Sequence, residues 1–259
     1  MQQTTVRRVA ALYDIHGNLP ALEAALDAAD AAGVDLILVG GDLVPGPMPR
    51  ETLDRLVELG PRARFIRGNC DRLVVDAMDG RTLPPLPAPA LAAFTWTAAR
   101  LDRHHRDFLA GFPSSLALTI AGLGEVLFCH ATPRSDEEIF TAVTPAARVR
   151  PMVDGVAQRL VVCGHTHMAF DREVDGVRLV NAGSVGMPFG RPGAHWALLG
   201  PDVRPVCTAY DPEPAASRIR ASGYPDAAGF AAQHVLAPVP EAEALRRFEQ
   251  PPAASPPPR

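Results

Sequence analysis

Lysine is absent from this sequence, and all 25 basic residues are arginines. The absence excludes every kind of site that needs a lysine amine, namely a Walker-type phosphate loop, a Schiff base or a pyridoxal site. Any electrophilic group used in catalysis must therefore be an arginine, a backbone amide or a bound metal ion.

Cysteine is scarce, and none of the four cysteines belongs to a Cys-x-x-Cys pair. The sequence therefore indicates no structural zinc site, no redox dithiol and no disulfide framework. Cys129 and Cys163 each end an apolar run, where a cysteine usually serves as a small buried hydrophobic residue.

Long apolar runs are also missing. Runs such as 36–39 have the length of a strand, far below the roughly 18 residues that span a bilayer. The first eight residues lack the apolar segment of a signal peptide, so we expect a cytoplasmic protein without a membrane partner. The net charge of −4, with acids and bases interspersed, indicates no nucleic-acid partner. The sequence does not indicate the oligomeric state.

The sequence does contain a regular alternation of strand and helix patterns. Apolar runs at 6–13, 35–39 and 63–66 predict strands, and helices are predicted at 19–32 and 49–59. Strands that alternate with helices through short connections indicate an α/β fold with parallel strands.

The rest of the chain suggests how the protein is divided. We predict a core domain over residues 1–210, with a helical insertion at about 83–112 that begins at a proline-rich segment and lies over the sheet. A helical extension is predicted at 211–250, and the proline-rich tail 251–259 is expected to be disordered. Further patterns predict a helix at 144–157 and strands at 115–120, 125–129, 160–163, 169–174, 177–180, 194–199 and 203–208.

Polar motifs directly follow the carboxyl ends of five predicted strands. Ligands of open α/β sheets gather at that edge, so five strands can deliver these side chains to one place. The motifs are Asp14-Ile15-His16, Gly40-Gly41-Asp42, Gly68-Asn69-Cys70-Asp71, His130 and Gly164-His165-Thr166-His167. Each motif also has a structural interpretation as a turn, a helix cap or a buried histidine. Their shared order and position favour a metal site.

The side chains in these motifs suit divalent metal ions. Carboxylate oxygens and imidazole nitrogens favour Mn²⁺, Fe²⁺ or Zn²⁺, and seven ligands are too many for one tetrahedral ion. Two ions sharing one carboxylate would each have four protein ligands and keep positions for water and substrate. Two such ions less two aspartates leave a charge of about +2, which attracts phosphate.

The ordered motifs resemble those of the calcineurin-like metallophosphoesterases, especially the compact bacterial and archaeal branch. The resemblance runs from about residue 8 to 199, and the set of motifs is specific although each motif alone is weak. In addition to the strand-end motifs it includes Gly17-Asn18, Thr132-Pro133 and Asn181-Ala182-Gly183-Ser184-Val185-Gly186.

The resemblance implies a four-layer α-β-β-α sandwich with two mixed sheets, and a division of the ligands. Asp14, His16 and His167 would hold the first ion, Asn69, His130 and His165 would hold the second, and Asp42 would bridge them. It assigns catalytic roles to Asp42, Asn69 and His130, with a hydroxide between the ions as nucleophile. Mn²⁺ is the first choice of metal, with Fe²⁺, Zn²⁺, Ni²⁺ and Co²⁺ as alternatives.

One position departs from many relatives. Cys70 stands where they carry the histidine taken to protonate the leaving group, and a thiol is a poor proton donor near pH 7. We therefore predict that Cys70 is a spacer or a substrate contact, and that good leaving groups are preferred. His104 or His105 is a candidate for the missing acid, although a solvated helix face is the simpler interpretation. Asn18 and Arg191 are candidate substrate contacts, and Asn18 is also a candidate helix cap.

Three functions are compared. The first is a phosphodiesterase or phosphomonoesterase acting on small phosphorylated molecules, including nucleotides. The second is a dinucleoside polyphosphate hydrolase in which Phe94 or Trp96 stacks a base, although segment 41–47 lacks the aspartate-arginine pair of the symmetrical tetraphosphatases. The third is a non-catalytic scaffold on the same fold, and the presence of all seven ligands argues against it. The His-x-His-x-Asp-His run of metallo-β-lactamases is absent.

Overall fold

The first sheet carries the predicted strand and helix alternation. The structure, a computed structural model, describes residues 5–249. Its strands are β1 (Val9–Leu12), β2 (Leu36–Val39), β3 (Ala63–Phe65), β9 (Ala194–Leu199) and β10 (Val203–Thr208). Strands β1, β2 and β3 run parallel, β9 pairs antiparallel with β1, and β10 pairs antiparallel with β9.

The second sheet is built from the middle of the chain. Its order is β4-β5-β6-β8-β7, with β5, β6 and β8 parallel and an antiparallel strand at each edge. The strands β4 to β8 are Ser115–Ile120, Gly124–Cys129, Leu160–Cys163, Phe170–Val174 and Val177–Asn181. Both sheets are therefore mixed.

Alternating side chains explain why the sheets stack. In β1, Val9 and Ala11 belong to the apolar cluster between the sheets, whereas Leu12 points to the helices outside. In β6, Val162 belongs to the same inner cluster and Val161 packs on the opposite side. A strand buried on both faces needs a layer on each side. The predicted four-layer α-β-β-α sandwich is confirmed.

Helices cover the outer faces of the sheets. Helix α1 begins after its cap Asn18 with a proline at its second position, and Gly33 follows its end at φ +66°. The helices α1 to α9 are Leu19–Ala31, Pro49–Val57, Asn69–Met78, Ala88–Ala98, Arg103–Ala110, Ala146–Val149, Pro212–Ala221, Ala227–Phe230 and Glu241–Phe248. A π-helical segment, Ala231–Leu236, continues α8.

Two helix predictions need correction. The helix predicted at 144–157 is wrong, because α6 has only four residues and a 3₁₀ turn, Arg150–Met152, replaces the rest. Pro151 lacks an amide hydrogen, and Gly155 adopts φ +75°, so the α-helix cannot continue. Conversely, α3 has no counterpart among the predicted elements, because a glycine-asparagine pair is also typical of a turn.

The predicted insertion packs beside the first sheet. Its helices α4 and α5 contact α3, and the rings of Phe108 and Phe112 lie 5.0 Å from that of Phe65 on β3. Helices occur where an extension was predicted, but the division into core, insertion and extension stays a prediction. The tail 251–259 lies outside the described residues. Within residues 5–249, no helix combines the length and apolarity that a membrane span requires.

Candidate metal centre

The motifs leave the ends of β1, β2, β3, β5 and β6 in sharply turned loops. Five site residues have φ between +48° and +69°: Asp14, His16, Asp42, His165 and His167. The only other described non-glycine residue with positive φ is Asp175, in the hairpin turn between β7 and β8. This left-handed conformation costs about 1–2 kcal/mol for each residue, so it persists only where surrounding contacts impose it.

Glycines let these loops approach one another. A Cβ atom at Gly41 would lie 2.5 Å from the backbone nitrogen of Gly68 and 2.8 Å from Nδ1 of His130. A Cβ atom at Gly164 would lie 2.6 Å from Oδ2 of Asp14. Larger residues would therefore push the loops apart.

The first group of side chains joins the β1 and β6 loops. Nε2 of His16 lies 3.3 Å from Nε2 of His167, which lies 3.5 Å from Oδ1 of Asp14. The three side chains place one donor atom each within reach of a common ion. All three are nearly or fully buried.

The second group contains Asp42, His130 and His165, whose donor atoms also lie close enough to share an ion. Oδ1 of Asn69 lies 3.1 Å from Nε2 of His130, which places the amide oxygen at the same centre. Oδ2 of Asp42 lies 3.4 Å from Nε2 of His130 and 3.7 Å from Nε2 of His16. One oxygen of Asp42 therefore stands between the two groups.

Backbone carbonyls orient the imidazole rings. Nδ1 of His130 lies 2.9 Å from the carbonyl of Gly40, and Nδ1 of His167 lies 2.9 Å from that of Met187. Nε2 of His165 lies 3.2 Å from the carbonyl of Glu137. A nitrogen facing a carbonyl must carry the hydrogen in a neutral ring, which leaves the other nitrogen with a lone pair for a metal.

The donor set fits divalent cations. Oδ1 of Asp14 is buried and accepts no hydrogen bond within the described part of the chain, while Oδ2 accepts one from the amide of His165. Two buried carboxylates and several imidazole lone pairs crowded together repel one another unless positive charge lies between them. Oxygen and nitrogen ligands of this kind suit borderline and hard divalent ions.

Protons supply that positive charge when metal is absent. Burial lowers the pKa of His130, but the Asp42 carboxylate outweighs it and raises that pKa to about 10. Burial lowers the pKa of His16 and of His165 to about 4. The pKa of Asp42 is depressed despite burial, because the charge and hydrogen bond of His130 favour the carboxylate. The cluster thus retains a proton on His130 near neutral pH.

Asp71 belongs to the third strand-end motif, but its residue type and position alone predict no role for it. Its buried carboxylate accepts hydrogen bonds from the amides of Asp42 and Leu43, both at 2.8 Å, of Gly68 at 3.0 Å and of Val44 at 3.3 Å. It therefore ties the β2 loop to the start of α3. Burial, reinforced by the charge of Asp42, raises the pKa of Asp71 to about 7. The aspartate three residues after Gly68 was the available sequence signal.

The predicted substrate contacts lie in different surroundings. Asn18 is fully buried: its Oδ1 accepts from the amide of Ala21 and its Nδ2 donates to the carbonyl of Gly186, which matches the helix-cap interpretation. Cys70 is half-buried, with its thiol near His16 and Asp42. Arg191 is exposed, and its carbonyl accepts from Nε2 of His195. Their contacts with substrate stay predictions.

The two histidines proposed as acids differ in burial. His104 is exposed, but His105 is 2 % exposed and its ring nitrogens lie 2.9 Å from Asp54 and 2.8 Å from Asp102. The solvated interpretation is therefore wrong for His105. The contacts of His105 with Asp54 and Asp102 join α5 to α2 instead. They occupy both ring nitrogens, so neither nitrogen is available to protonate a leaving group.

A cavity beside the second group is rich in arginine. It measures about 260 Å³ and is lined by His130 together with Arg67, Arg72 and Arg134, among other residues. Arg72 pairs with Asp136 and Glu137, and Arg134 pairs with Glu138. The Arg67 side chain has no such partner within residues 5–249, and its Nε is buried without a hydrogen bond.

Buried carboxylates and imidazoles gathered at strand ends are the kind of site that metal-dependent hydrolases use. Residues 8–202 match the Calcineurin-like phosphoesterase superfamily domain. The chain belongs to this superfamily, and it is a phosphate ester hydrolase of that class. The superfamily implies divalent metal cofactors, and the two groups above are candidate positions for them.

Individual relatives agree with this assignment. The chain is 26 % identical over 208 residues to the phosphodiesterase YfcE of Escherichia coli, covering 76 % of this chain and 90 % of YfcE. It is 27 % identical to a metallophosphoesterase from Sphaerobacter thermophilus, with a TM-score of 0.68 and coverage of 90 % and 99 %. A protein from Pyrococcus horikoshii, PH1004, shares the fold at 23 % identity, with a TM-score of 0.75 and coverage of 88 % and 97 %.

Metal uptake is expected to release protons. His130 holds a proton near neutral pH because its pKa is about 10, and it must lose that proton to bind a metal. We expect release of about one proton or more per chain at pH 8, and weaker metal binding as the pH falls. Calorimetric titration with Mn²⁺ in two buffers of different ionisation enthalpy measures the number. The exposed-site variant His104→Ala should release the same number, and buffer-independent heats would contradict the prediction.

The substitution Asp71→Asn is expected to weaken metal binding about 10- to 100-fold. Asparagine would turn an amide nitrogen toward backbone N–H groups that now donate to the carboxylate, so the loop holding Asp42 would lose its position. Metal affinity and hydrolysis should fall together, as measured by equilibrium dialysis and turnover. Asp79→Asn, at the other end of α3 and paired with Arg81 and Arg106, is the control. Equal metal affinity in the two variants would disprove the positioning role of Asp71.

Proposed function

We propose that the chain hydrolyses phosphate monoesters or diesters of small molecules or nucleotides with two bound divalent ions. The position of one Asp42 oxygen between the two ligand groups is the observation that carries this proposal. A carboxylate at that position can bridge two ions. A site for a single ion would not require both groups of ligand side chains.

The ligands divide as the family resemblance implies. Asp14, His16 and His167 would hold the first ion, Asn69, His130 and His165 would hold the second, and Asp42 would contact both. Mn²⁺ is the preferred ion, with Fe²⁺, Zn²⁺, Ni²⁺ and Co²⁺ as alternatives. When bound, the ions make water a strong nucleophile near neutral pH and stabilise negative charge on the phosphoryl oxygens.

The remaining residues of the site position these ligands. The amide of Cys70 donates to Oδ1 of Asp42 at 2.8 Å, which leaves Oδ2 free to face the two groups. The carbonyls of Gly40 and Met187 fix the rings of His130 and His167, so little reorientation is needed on binding.

Proton supply to the leaving group remains limited. Burial and the nearby Asp42 carboxylate raise the pKa of the Cys70 thiol well above its usual value. A thiol of this kind retains its proton, which agrees with a preference for leaving groups that depart without protonation. Aryl esters, nucleotides and pyrophosphate-linked groups are such substrates.

The comparisons support diesters in particular. The relative YfcE is named a phosphodiesterase, and the alignment covers 90 % of its length. A non-catalytic scaffold is the alternative from another class. It is disfavoured because all seven ligand side chains are present and converge.

The substitution Asp42→Ala is expected to remove metal and activity together. Loss of the oxygen between the groups should lower the metal content and reduce hydrolysis of bis(p-nitrophenyl) phosphate about 100-fold or more. Metal analysis and turnover on phosphate mono- and diesters measure both effects. Asp27→Ala, at an exposed position of α1, is the control. Full activity of the Asp42 variant would refute the bridging role, and absence of hydrolysis by the metal-loaded unmodified chain would favour the scaffold.

A second candidate is a dinucleoside polyphosphate hydrolase, for which the unpaired Arg67 beside His130 is the favourable observation. A guanidinium in a cavity can bind an additional phosphate through paired hydrogen bonds. Phe94 and Trp96, which this hypothesis predicts to stack a base, are poorly placed to do so. Phe94 is a core residue, and the guanidinium of Arg100 lies 3.6 Å from the centre of the Trp96 ring, covering one face.

The substitution Arg67→Ala tests that candidate. We expect about a tenfold rise in KM for diadenosine tetraphosphate, with little change for bis(p-nitrophenyl) phosphate, because only the former has further phosphates to place in the cavity. Steady-state kinetics on both substrates provide the comparison. Arg64→Ala, three residues earlier on β3 and with its side chain bonded to backbone carbonyls, is the control. A uniform effect on both substrates would count against a second phosphate subsite.

A further inference from the structure

The loop that follows His130 carries the carbonyl that faces His165. Nε2 of His165 lies 3.2 Å from the carbonyl oxygen of Glu137, and the rings of His130 and His165 lie 5.1 Å apart. A neutral ring in this position carries its hydrogen on Nε2, which leaves the lone pair of Nδ1 for a metal ion. The position of Glu137 therefore decides which nitrogen of His165 is available to the second ion.

Short-range contacts give this loop its shape. The amide of Thr132 donates to the carbonyl of Ser135 at 2.9 Å, and the amide of Ser135 donates to that of Thr132 at 3.3 Å. Oγ of Ser135 accepts from the amide of Glu137 at 3.1 Å, and Arg134 pairs with Glu138. Each of these contacts joins two residues of the same loop. They fix its conformation, but they do not fix its position relative to the other metal ligands.

Arg72 joins the loop to helix α3. Its Nε donates to Oδ2 of Asp136 at 3.0 Å and its Nη2 donates to Oδ1 at 3.2 Å, which makes a bidentate pair. Nη2 also donates to a side-chain oxygen of Glu137 at 2.6 Å. The Arg72 and Asp136 side chains are only 31 % and 21 % exposed. Isolated surface ion pairs contribute little, but a bidentate pair within a partly shielded network fixes geometry.

Helix α3 itself belongs to the metal centre. Its first residue is the candidate ligand Asn69, three positions before Arg72. Asp71, between them, holds the loop of Asp42 through its amide. The first turn of α3 therefore contacts both the Asp42 loop and the loop after His130. Arg72 sets where the second of these loops lies relative to the helix.

We propose that Arg72 is a positioning residue for the second ion. By holding Asp136 and Glu137 against α3, it keeps the Glu137 carbonyl at Nε2 of His165 and so keeps Nδ1 available to the ion. The inference deepens the proposed two-ion hydrolysis and rests on it. It also explains why two acidic side chains are tolerated beside the arginine-rich cavity, which Arg72 and Asp136 both line.

The first test is metal affinity, measured by calorimetric titration with Mn²⁺. Arg72→Ala and Asp136→Ala are each expected to bind one ion about tenfold more weakly and the other within about threefold of the unmodified chain. Arg178→Ala, which removes a bidentate pair with Asp171 on the hairpin of β7 and β8, is the matched control and should bind both ions normally.

The sign of the Arg72 result separates positioning from charge. Removing a cation beside the centre would by itself strengthen the binding of a metal ion, whereas loss of positioning weakens it. Arg72→Ala with unchanged or tighter binding of both ions would therefore overturn the inference. The same holds if both ions were weakened equally, since the effect would then not be confined to the second group.

The second test follows the hydrogen of the His165 ring in the metal-free protein. Imidazole ¹⁵N and ¹H resonances at pH 8 distinguish the two neutral forms, and the His165 signals are those missing from His165→Ala. We expect the hydrogen on Nε2 in the unmodified chain and in Arg178→Ala, and a mixture of both forms in Arg72→Ala. An unchanged His165 spectrum in Arg72→Ala would show that Arg72 does not act through this ring.

Thermal midpoints show whether each variant folds. Should Arg72→Ala fail to fold, Arg72→Gln replaces it with the same expected results, because glutamine lacks the charge and the fork of the guanidinium. The resonance test needs no metal and is independent of the proposed function. An unmodified chain that binds fewer than two ions would refute that function, whereas two ions bound equally well by the unmodified chain and Arg72→Ala would refute the role of Arg72 alone.

Discussion

Mutual repulsion within the buried cluster is the constraint on which the site depends. Oxygens of Asp14 and Asp42 and nitrogens of His16, His130 and His167 lie 3.3–3.9 Å apart, where lone pairs and negative charges repel one another unless protons or cations lie between them. The fold tolerates this because backbone amides donate to Asp14 and Asp42, and backbone carbonyls face the rings of His130 and His167. Cations in the cluster would take the place of the proton on His130, so metal binding and proton release are linked.

Both the sheets and the helices hold the side chains of the cluster in place. The two sheets bring strand ends together at one edge, and the helices outside contribute contacts that fix the loops. Asp71, at the start of α3, holds the Asp42 loop through four backbone amides. The C-terminal segment braces the opposite side through Gly190 and Val239. The centre is thus held by parts of the chain that are distant in sequence.

The convergence of the seven candidate ligands was predictable because strand ends are marked by local patterns, and parallel strands place those ends at one edge. The start of α3 was not predictable from the sequence, because a glycine-asparagine pair also suits a turn. Only the tertiary contacts of Asp71 distinguish a helix start from a turn at this position. His105 was misjudged since its partner Asp54 lies on another helix.

The left-handed backbone at the ligands limits how this site can change over evolutionary time. Asn, Asp and His adopt that conformation more readily than other non-glycine residues, and glycine adopts it freely. A descendant that abandons metal chemistry would therefore tend to exchange Asp14 or Asp42 for asparagine or glycine and keep its loops. Branched aliphatic replacements would strain the loops at these positions. The geometry that favours catalysis thus also restricts the paths by which catalysis can be lost.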